Sequence, residues 1–339
     1  SNYTSMIDSG LTRTVAESGT EAFGASIARS LHVLPVSISL SGALGSGKTA
    51  LMRGFLRACG VTDAITSPTY ALEQRYNGSY GNVLHLDLYR LTPAEADALL
   101  RHSDDHDGIR CVEWPERANN FHANIAIRID ESGPTQRTIA VDCSDVSWPE
   151  DATIDAWRRE LALPANVSAH CDAVAAFCAT AADVLLERGT FVRKAFVRAA
   201  GKVHDLFRFV DFTPGAAPDG HVDPPDAVAT WERWKKMYPF DSHERAVEAF
   251  LIDQGFPELG KLAASHHIRA SVDSRTTTEA HLLYYADKRF VGSRCVTIAE
   301  RYDDFAQRYG NGMRSPESIQ WERDALSTET LLFPDGFTP

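Results

Sequence analysis

The residues best suited to chemistry stand at Gly42-Ala43-Leu44-Gly45-Ser46-Gly47-Lys48-Thr49, which fits G-x-x-x-x-G-K-[ST], the phosphate-binding loop. Its glycines let successive backbone N–H groups converge on one anion. Lys48 brings a compact positive charge to the β- and γ-phosphates, and the Thr49 hydroxyl can ligate Mg²⁺. A second set lies in the C-terminal half: the dipeptide His204-Asp205, with His170 before it and His243, His266-His267 and Asp287 after it. Consecutive helical residues point about 100° apart, so a His–Asp pair can serve two metals, the carboxylate bridging and the imidazole on one of them. His/Asp donors without thiolate suit Mn²⁺, Fe²⁺, Ni²⁺, Co²⁺ or Zn²⁺, and the sequence does not choose among them. Arg208 follows the pair by one turn and is a candidate for phosphate oxygens, with Lys202, Lys288 and Arg289 as further basic residues.

The elements that must position these groups are legible around them. Val36–Leu40 alternates apolar and polar residues as a strand does, and Leu51, Phe55 and Leu56 recur at helical spacing. The loop therefore opens a helix, whose N-terminal dipole favours phosphate, and Gly60 ends it. Residues 11–33 read as a helix leading into that strand. Ile65-Thr66-Ser67-Pro68-Thr69-Tyr70 is a hydroxyl-rich turn, followed by strand-like Ala71–Tyr76. Asn82–Arg90 and Ile109–Glu113 read as strands that carry the acids Asp87 and Glu113 toward the carboxyl edge, where they suit Mg²⁺ coordination and water activation. His85 reads as a packed strand residue rather than a ligand. Asn124–Asp130 and Arg137–Cys143 are further strands.

The stretch 146–164 reads as a linker that holds a short helix after Asp151, and the chain beyond it is nearly all helical. Val167, Val174, Phe177, Ala181 and Leu185 make one apolar stripe, and Phe191 to Val203 a second that ends at His204-Asp205. Asp211–Asp226, rich in Pro and Gly, is a long loop or lid. Trp231, Trp234, Met237 and Tyr238 open another helix, and the tail after Gly310 reads as irregular. The expected division is 1–145, linker 146–164, 165–310 and tail 311–339.

Composition sets the class. The 339 residues suffice for two domains, and 44% hydrophobic with 24% charged residues describes a globular protein. A formal net charge of -12 argues against a broad nucleic-acid or anionic-membrane surface. Six cysteines form no C-x-x-C pair and read as reduced core residues of a cytoplasmic protein, and no apolar run approaches a membrane span.

In order and spacing, GALGSGKT, ITSPTY, HLDLYRL and CVEWPER over about residues 11–143 resemble the bacterial TsaE family. Those proteins are small P-loop ATPases that support threonylcarbamoyladenosine synthesis on tRNA. The resemblance implies an α/β P-loop NTPase-like domain holding ATP or ADP with Mg²⁺ at Gly42, Gly45, Ser46, Gly47, Lys48, Thr49 and Ala50. It also implies a switch-like role for Thr66 to Thr69, Mg²⁺-linked acids at Asp87 and Glu113, and a functional Trp114. TsaB–TsaD-type partners are implied as well, with tRNA met only indirectly and no membrane. Ala43 stands where the family usually has an acidic residue, and Leu100–Asp107 lacks its usual pattern.

Over about residues 165–300 the order H…HD…H…H…D resembles the HD phosphohydrolase superfamily, an all-α helical bundle. It implies one divalent metal on His170, His204, Asp205 and Asp287. Asp205 would bridge to a second on His243 and His266, with His267 the alternative to His266. The expected protein is thus bifunctional, an ATPase fused to a phosphohydrolase of a nucleotide or related phosphoester. The alternatives are a P-loop regulatory or binding module with an inactive bundle, or a small-molecule kinase.

Overall fold

A computed structural model describes residues 6–68, 70–212, 225–268 and 272–338. The chain divides into two units, Ser1–Val146 with Asp183–Arg193, and Ser147–Ala182 with Lys194–Pro339.

The first unit runs β1 (Asp8–Val15), α1 (Ala16–Ala28), β2 (Val36–Ser41), α2 (Lys48–Ala58), β3 (Glu73–Gly78), β4 (Gly81–Asp87), α3 (Pro93–His102), β5 (Ile109–Glu113), β6 (Ile125–Glu131) and β7 (Gln136–Cys143). Its mixed sheet has the order β1-β7-β6-β2-β5-β4-β3. The strand before the phosphate loop is central, with β5 and β6 parallel to it on either side. Val36, Ile38 and Leu40 bury one face of this strand, and Ser39 is buried on the other, as a strand covered on both faces requires. On one side α1 and α2 pack through glycines: a Cβ on Gly54 would stand 1.8 Å from Glu21 O, and one on Gly24 2.1 Å from Leu51 O. Elsewhere α3 covers β4 and β5 with Ala96 and Leu100 against Leu84, Leu86 and Val112. The return segment 183–193 completes the unit. Thr12 Oγ1 donates to Leu186 O at 2.6 Å, the Phe191 ring meets Phe23 edge-on at 6.2 Å, and Arg193 pairs with Asp145 in the interior.

Residues 11–33 are not one helix: β1 occupies the first part, paired antiparallel with β7. The buried face of β1 is Asp8, Gly10, Thr12 and Thr14, while Leu11 and Val15 are exposed. Polar-in, apolar-out alternation hides a strand from a hydrophobic reading.

The second unit is largely helical: α4 (Asp151–Glu160), α5 (Ala165–Glu187, whose last turn belongs to the first unit), α6 (Lys194–Val203), α7 (Pro225–Met237), α8 (His243–Asp253), α9 (Pro257–Ala264), α10 (Thr278–Asp287), the short hairpin β8 (Phe290–Val291) and β9 (Arg294–Cys295), α11 (Ile298–Tyr309) and α12 (Pro316–Leu332). A Cβ on Gly201 would lie 2.8 Å from Ala175 Cα, so α6 approaches α5 backbone to backbone. The stretch read as a linker contains α4, whose Trp157 packs edge-on against Phe250 at 5.2 Å and Phe256 at 6.1 Å. The tail read as irregular contains α12, capped by Ser315 accepting from Ser318 N and anchored by buried Thr328 and Leu332. Trp231 and Trp234 donate their indole N–H groups to Ala162 O and Glu160 O and pack among Phe207, Phe209 and Tyr238, a structural use of the aromatic stripe. Of the loop expected at 211–226, residues 213–224 lie outside the described residues.

Five cysteines are buried and none of the six is in a disulfide, but Cys295 is exposed on the hairpin. By length and composition α5 could cross a membrane, with mean hydropathy 1.4 over its apolar window. Half of that window is buried inside the protein, including Cys171, Val174, Ala175 and Cys178, which is how a core helix of this composition packs.

Candidate functional site

The phosphate loop joins the end of β2 to the first turn of α2. Gly42, Gly45 and Gly47 all have positive φ, at 148°, 80° and 111°. A Cβ on Gly42 would stand 2.4 Å from Ile129 O, whereas one on Gly45 would meet nothing within 4 Å, so the loop's own surface is open there. Lys48 Nζ donates to Gly42 O at 2.8 Å and Ala43 O at 3.0 Å, and lies 4.1 Å from the Trp114 ring centroid. Burial pulls the Lys48 ammonium below its usual pKa, against the opposing charges of Glu113, Asp87 and Glu116. Ser46 Oγ is buried without a hydrogen-bond partner. An orphaned hydroxyl, an inward ammonium and an open glycine in one loop fit a polyphosphate and its Mg²⁺.

Parallel pairing of β4 and β5 sets Asp87 directly opposite Glu113 at the carboxyl edge. Both acids are buried; Tyr89 N donates to Asp87 Oδ1 at 2.8 Å, and His85 Nε2 lies 2.9 Å from Glu113 Oε1. Trp114 follows in a left-handed conformation, φ 58°, sparsely populated for a bulky residue, and its ring packs on Tyr89 at 4.8 Å. A cleft of about 520 Å³ opens over the loop, lined by Gly45, Lys48, Thr49, Ala50, Glu113 and Trp114 among others.

The hydroxyl turn differs in detail from the sequence reading. Thr66 is exposed, with its Oγ1 accepting from Gln74 Nε2 at 2.8 Å, and Ser67 lines the cleft instead. Thr69 lies outside the described residues. Arg137 is a residue that sequence reasoning missed. From the start of β7 it lines the cleft and donates through Nε to Ser46 O at 2.6 Å, bracing the loop. No motif marks it, because strand pairing brings it there from 91 residues away.

The family description "Threonylcarbamoyl adenosine biosynthesis protein TsaE" matches residues 14–139. The protein called tRNA threonylcarbamoyladenosine biosynthesis protein TsaE in Synechocystis sp. is 40% identical over 103 residues, covering 29% of this chain and 65% of that protein. The protein of the same name in Nostoc sp. is 34% identical over 110 residues, covering 30% of this chain and 68% of that protein. The chain belongs to the TsaE family. It spans just under two thirds of the Synechocystis relative's length. The crystal structure of Bacillus subtilis YdiB aligns at a TM-score of 0.33 with 26% identity, covering 41% of this chain and 88% of that one. The TsaE match is confined to the first unit.

Outside the TsaE match, the second unit gathers its own cluster. Asp205 lies between two groups of histidines. Its Oδ2 is 3.9 Å from His170 Nε2 and 3.8 Å from His204 Nε2; its Oδ1 is 3.1 Å from His243 Nε2 and 3.5 Å from His266 Nε2. Asp287 Oδ1 joins the first group at 3.1 Å from His170 Nε2 and 3.7 Å from His204 Nε2. Each imidazole is turned by its other nitrogen. Nδ1 of His170 bonds to Gly292 O, that of His204 to Gly201 O, that of His266 to Ala263 O, and that of His243 to the Asp211 carboxylate. With Nδ1 committed as donor, each ring when neutral presents its Nε2 lone pair inward, the second-sphere arrangement of metal-binding histidines. His204 Nε2 is buried with no hydrogen-bond partner. Two compact donor groups result, His170–His204–Asp205 and Asp205–His243–His266. The donors fit one or two divalent ions.

The electrostatics agree. Burial opposes ionisation of Asp205 and Asp287, yet the charges and hydrogen bonds of His204 and His243 around the first, and of Lys288, His170 and His204 around the second, hold both well below the usual carboxylate range. Burial likewise opposes protonation of His243, but hydrogen bonds accepted by Asp205 and Asp211 raise it to about 9, while burial lowers His266. The cluster calls for positive charge.

His267 stands outside the cluster: its side chain is 37% exposed and its Nε2 is 3.9 Å from Glu244 Oε1. Arg208 reaches Asp211 at 3.0 Å and His243 Nδ1 at 3.2 Å, so it borders the second group. Lys288 Nζ donates to the Asp287 carboxylate. Arg289 is spent on Val296 O and Tyr285, and Lys202 on Asp151 and Asp172, so neither reaches the cluster through these bonds.

Proposed function

We propose that the chain is a two-site enzyme. Its TsaE unit binds and hydrolyses ATP with Mg²⁺ in support of tRNA threonylcarbamoyladenosine synthesis, acting with TsaB–TsaD-type proteins and meeting tRNA only through them. Its helical unit is an HD-type metal-dependent phosphohydrolase of a nucleotide or related phosphoester, working in the cytoplasm. The ATPase reading is supported by Lys48, Asp87 and Glu113 lying around one phosphate loop in a TsaE-matched unit. One observation carries the second reading. His243 Nε2 and His266 Nε2 are 3.0 Å apart, both beside Asp205 Oδ1, and both rings already donate through Nδ1. Two imidazole nitrogens this close beside one carboxylate need a positive charge between them, a proton in the metal-free unit or a divalent ion in its place.

In the first site Lys48 would exchange the Gly42 and Ala43 carbonyls for phosphate oxygens, Thr49 and Asp87 would hold Mg²⁺, and Glu113 would accept the proton of the attacking water. In the second, His170, His204, Asp205 and Asp287 would hold one metal, and Asp205, His243 and His266 would hold the other. Bound divalent ions supply Lewis acidity to phosphate oxygens. Lys288 fixes Asp287, Asp211 fixes His243, and Arg208 offers a charge-assisted contact to substrate phosphate.

Elemental analysis with hydrolysis assays on a panel of nucleotides and phosphoesters tests both sites. Asp205→Ala should strip both metals and His243→Ala mainly one, each abolishing phosphoester cleavage while ATP hydrolysis persists. Lys48→Ala should abolish ATP hydrolysis with metal content unchanged. Phosphoester cleavage that survives Asp205→Ala would remove the second site from the proposal.

A further inference from the structure

His85 read as an ordinary packed strand residue. Its surroundings say otherwise. The ring is 1% exposed and its Nε2 lies 2.9 Å from Oε1 of Glu113, whose side chain is 3% exposed. The other nitrogen, Nδ1, is buried with no hydrogen-bond partner. A proton on Nδ1 would be stranded, so the ring carries its proton on Nε2 and donates it to the Glu113 carboxylate. Sheet register makes the contact obligatory. His85 pairs with Cys111 and Asp87 with Glu113, so His85 lies diagonally from Glu113 on the face the two acids share. The backbone around Glu113 is fixed as well: Leu88 N donates to Glu113 O at 3.1 Å, and Trp114 N to Leu40 O at 3.1 Å. An apolar side chain would fill this position without leaving Nδ1 unsatisfied, so core packing alone does not account for an imidazole here.

We infer that His85 is a positioning residue for ATP hydrolysis in the TsaE unit: it occupies Oε1 of Glu113 and thereby aims Oε2 at the attacking water. The inference rests on the ATPase reading of the first unit. It separates two roles within the HLDLYRL strand, with Asp87 facing the metal and His85 facing the carboxylate that acts on water. Because His85 does not line the cleft over the phosphate loop, it should govern turnover and leave nucleotide affinity alone.

The test uses the full chain with ATP, ADP and Mg²⁺. His85→Leu keeps the volume and removes the donor, while His85→Gln can return an amide N–H to Oε1 and His85→Asn is too short to reach it. His85→Leu and His85→Asn should lower kcat at least about 10-fold, as expected for losing a hydrogen bond to a carboxylate, with KM and ADP affinity within about threefold of wild type. His85→Gln should recover most of kcat, and His85→Leu should cost nothing further in a Glu113→Gln background. If His85→Leu fails to fold, the contrast between His85→Gln and His85→Asn decides alone. Wild-type kcat in His85→Leu, equal kcat in His85→Gln and His85→Asn, or a parallel loss of ADP affinity would overturn the role. A wild-type chain that binds ADP but hydrolyses no ATP would overturn the role; one that binds no nucleotide at all would overturn the P-loop reading beneath it.

Discussion

At His243 two carboxylates decide the protonation state. Burial alone would empty the ring of its proton, yet Asp205 and Asp211 raise its pKa to about 9, while neighbouring His266 is pushed down. Without metal, one proton therefore sits on His243 near neutral pH and faces the His266 lone pair. Ligation needs neutral imidazole, so metal must displace that proton. We predict net proton release on metal uptake near neutral pH, read by calorimetry in buffers of different ionisation enthalpy, and metal affinity that climbs with pH and levels off above about 9. Uptake with no buffer dependence would remove His243 from the ligands. The linkage to stability has the opposite sign. A raised histidine pKa stabilises the metal-free unit fully below the ordinary value of 6.5, and that contribution is lost as pH rises through about 9. Depressed Asp205 and Asp287 contribute above the ordinary 3.8, and that is lost as pH falls. The metal-free protein should thus show its best second-unit stability between those limits, and metal should extend it upward.

The elements that carry the phosphate loop depend on two glycines. Alanine in a helix is favoured over glycine by up to about 1 kcal/mol. Against that, a Cβ at Gly54 would sit 1.8 Å from the Glu21 carbonyl, a backbone atom that cannot rotate away. Overpacking of this kind costs about 1–3 kcal/mol and more where backbone must shift, so the clash wins. Gly54→Ala should lower thermal stability and, because α2 begins at Lys48, weaken ATP binding. Gly19→Ala in α1 meets nothing closer than 3.5 Å and should be neutral or stabilising. Equal stability for both variants would show that α1 and α2 can part without cost.

The same elements mark what the sequence made legible. β2, the loop and α2 could be read because their period switches from two to 3.6 across a glycine-rich turn. β1 and α12 escaped because their buried faces are mostly small or polar, with Leu332 at the very end of α12 the exception. Thr12 and Thr14 are inside and Leu11 and Val15 outside in β1, and Ala325 and Thr328 are inside and Leu326 and Leu331 outside in α12. The short helix in 146–164 was legible, whereas its packing was not, because Trp157 finds its partners at Phe250 and Phe256, far along the chain. The residues that the fold gathers at His170, His204, Asp205, His243 and Asp287 could be named from the sequence, whereas only the fold separates His266 from half-exposed His267. Arg137 and the use of His85 required strand register.

On the scale of the whole molecule, the chain belongs to the first unit twice, through residues 1–146 and again through 183–193. The second passage lies beyond the TsaE-matched residues, which end at 139. Arg193 is fully buried, donates to Ser30 O at 3.0 Å and pairs through both terminal nitrogens with Asp145, whose side chain is 2% exposed. Removing one partner of a buried ion pair strands the other charge and costs about 3–5 kcal/mol. An exposed pair such as Arg198–Asp151 is worth about 0–1 kcal/mol. Ligands stabilise only the unit that binds them, so ATP should raise one thermal transition and divalent metal the other. Arg193→Ala should lower the ATP-sensitive transition strongly, although this arginine lies only six residues after a helix that begins in the second unit. Arg198→Ala should barely move either transition. Adding Asp145→Ala to Arg193→Ala should cost less than the two single losses combined, because the stranded carboxylate is then gone. A drop confined to the metal-sensitive transition would instead assign residues 183–193 to the second unit.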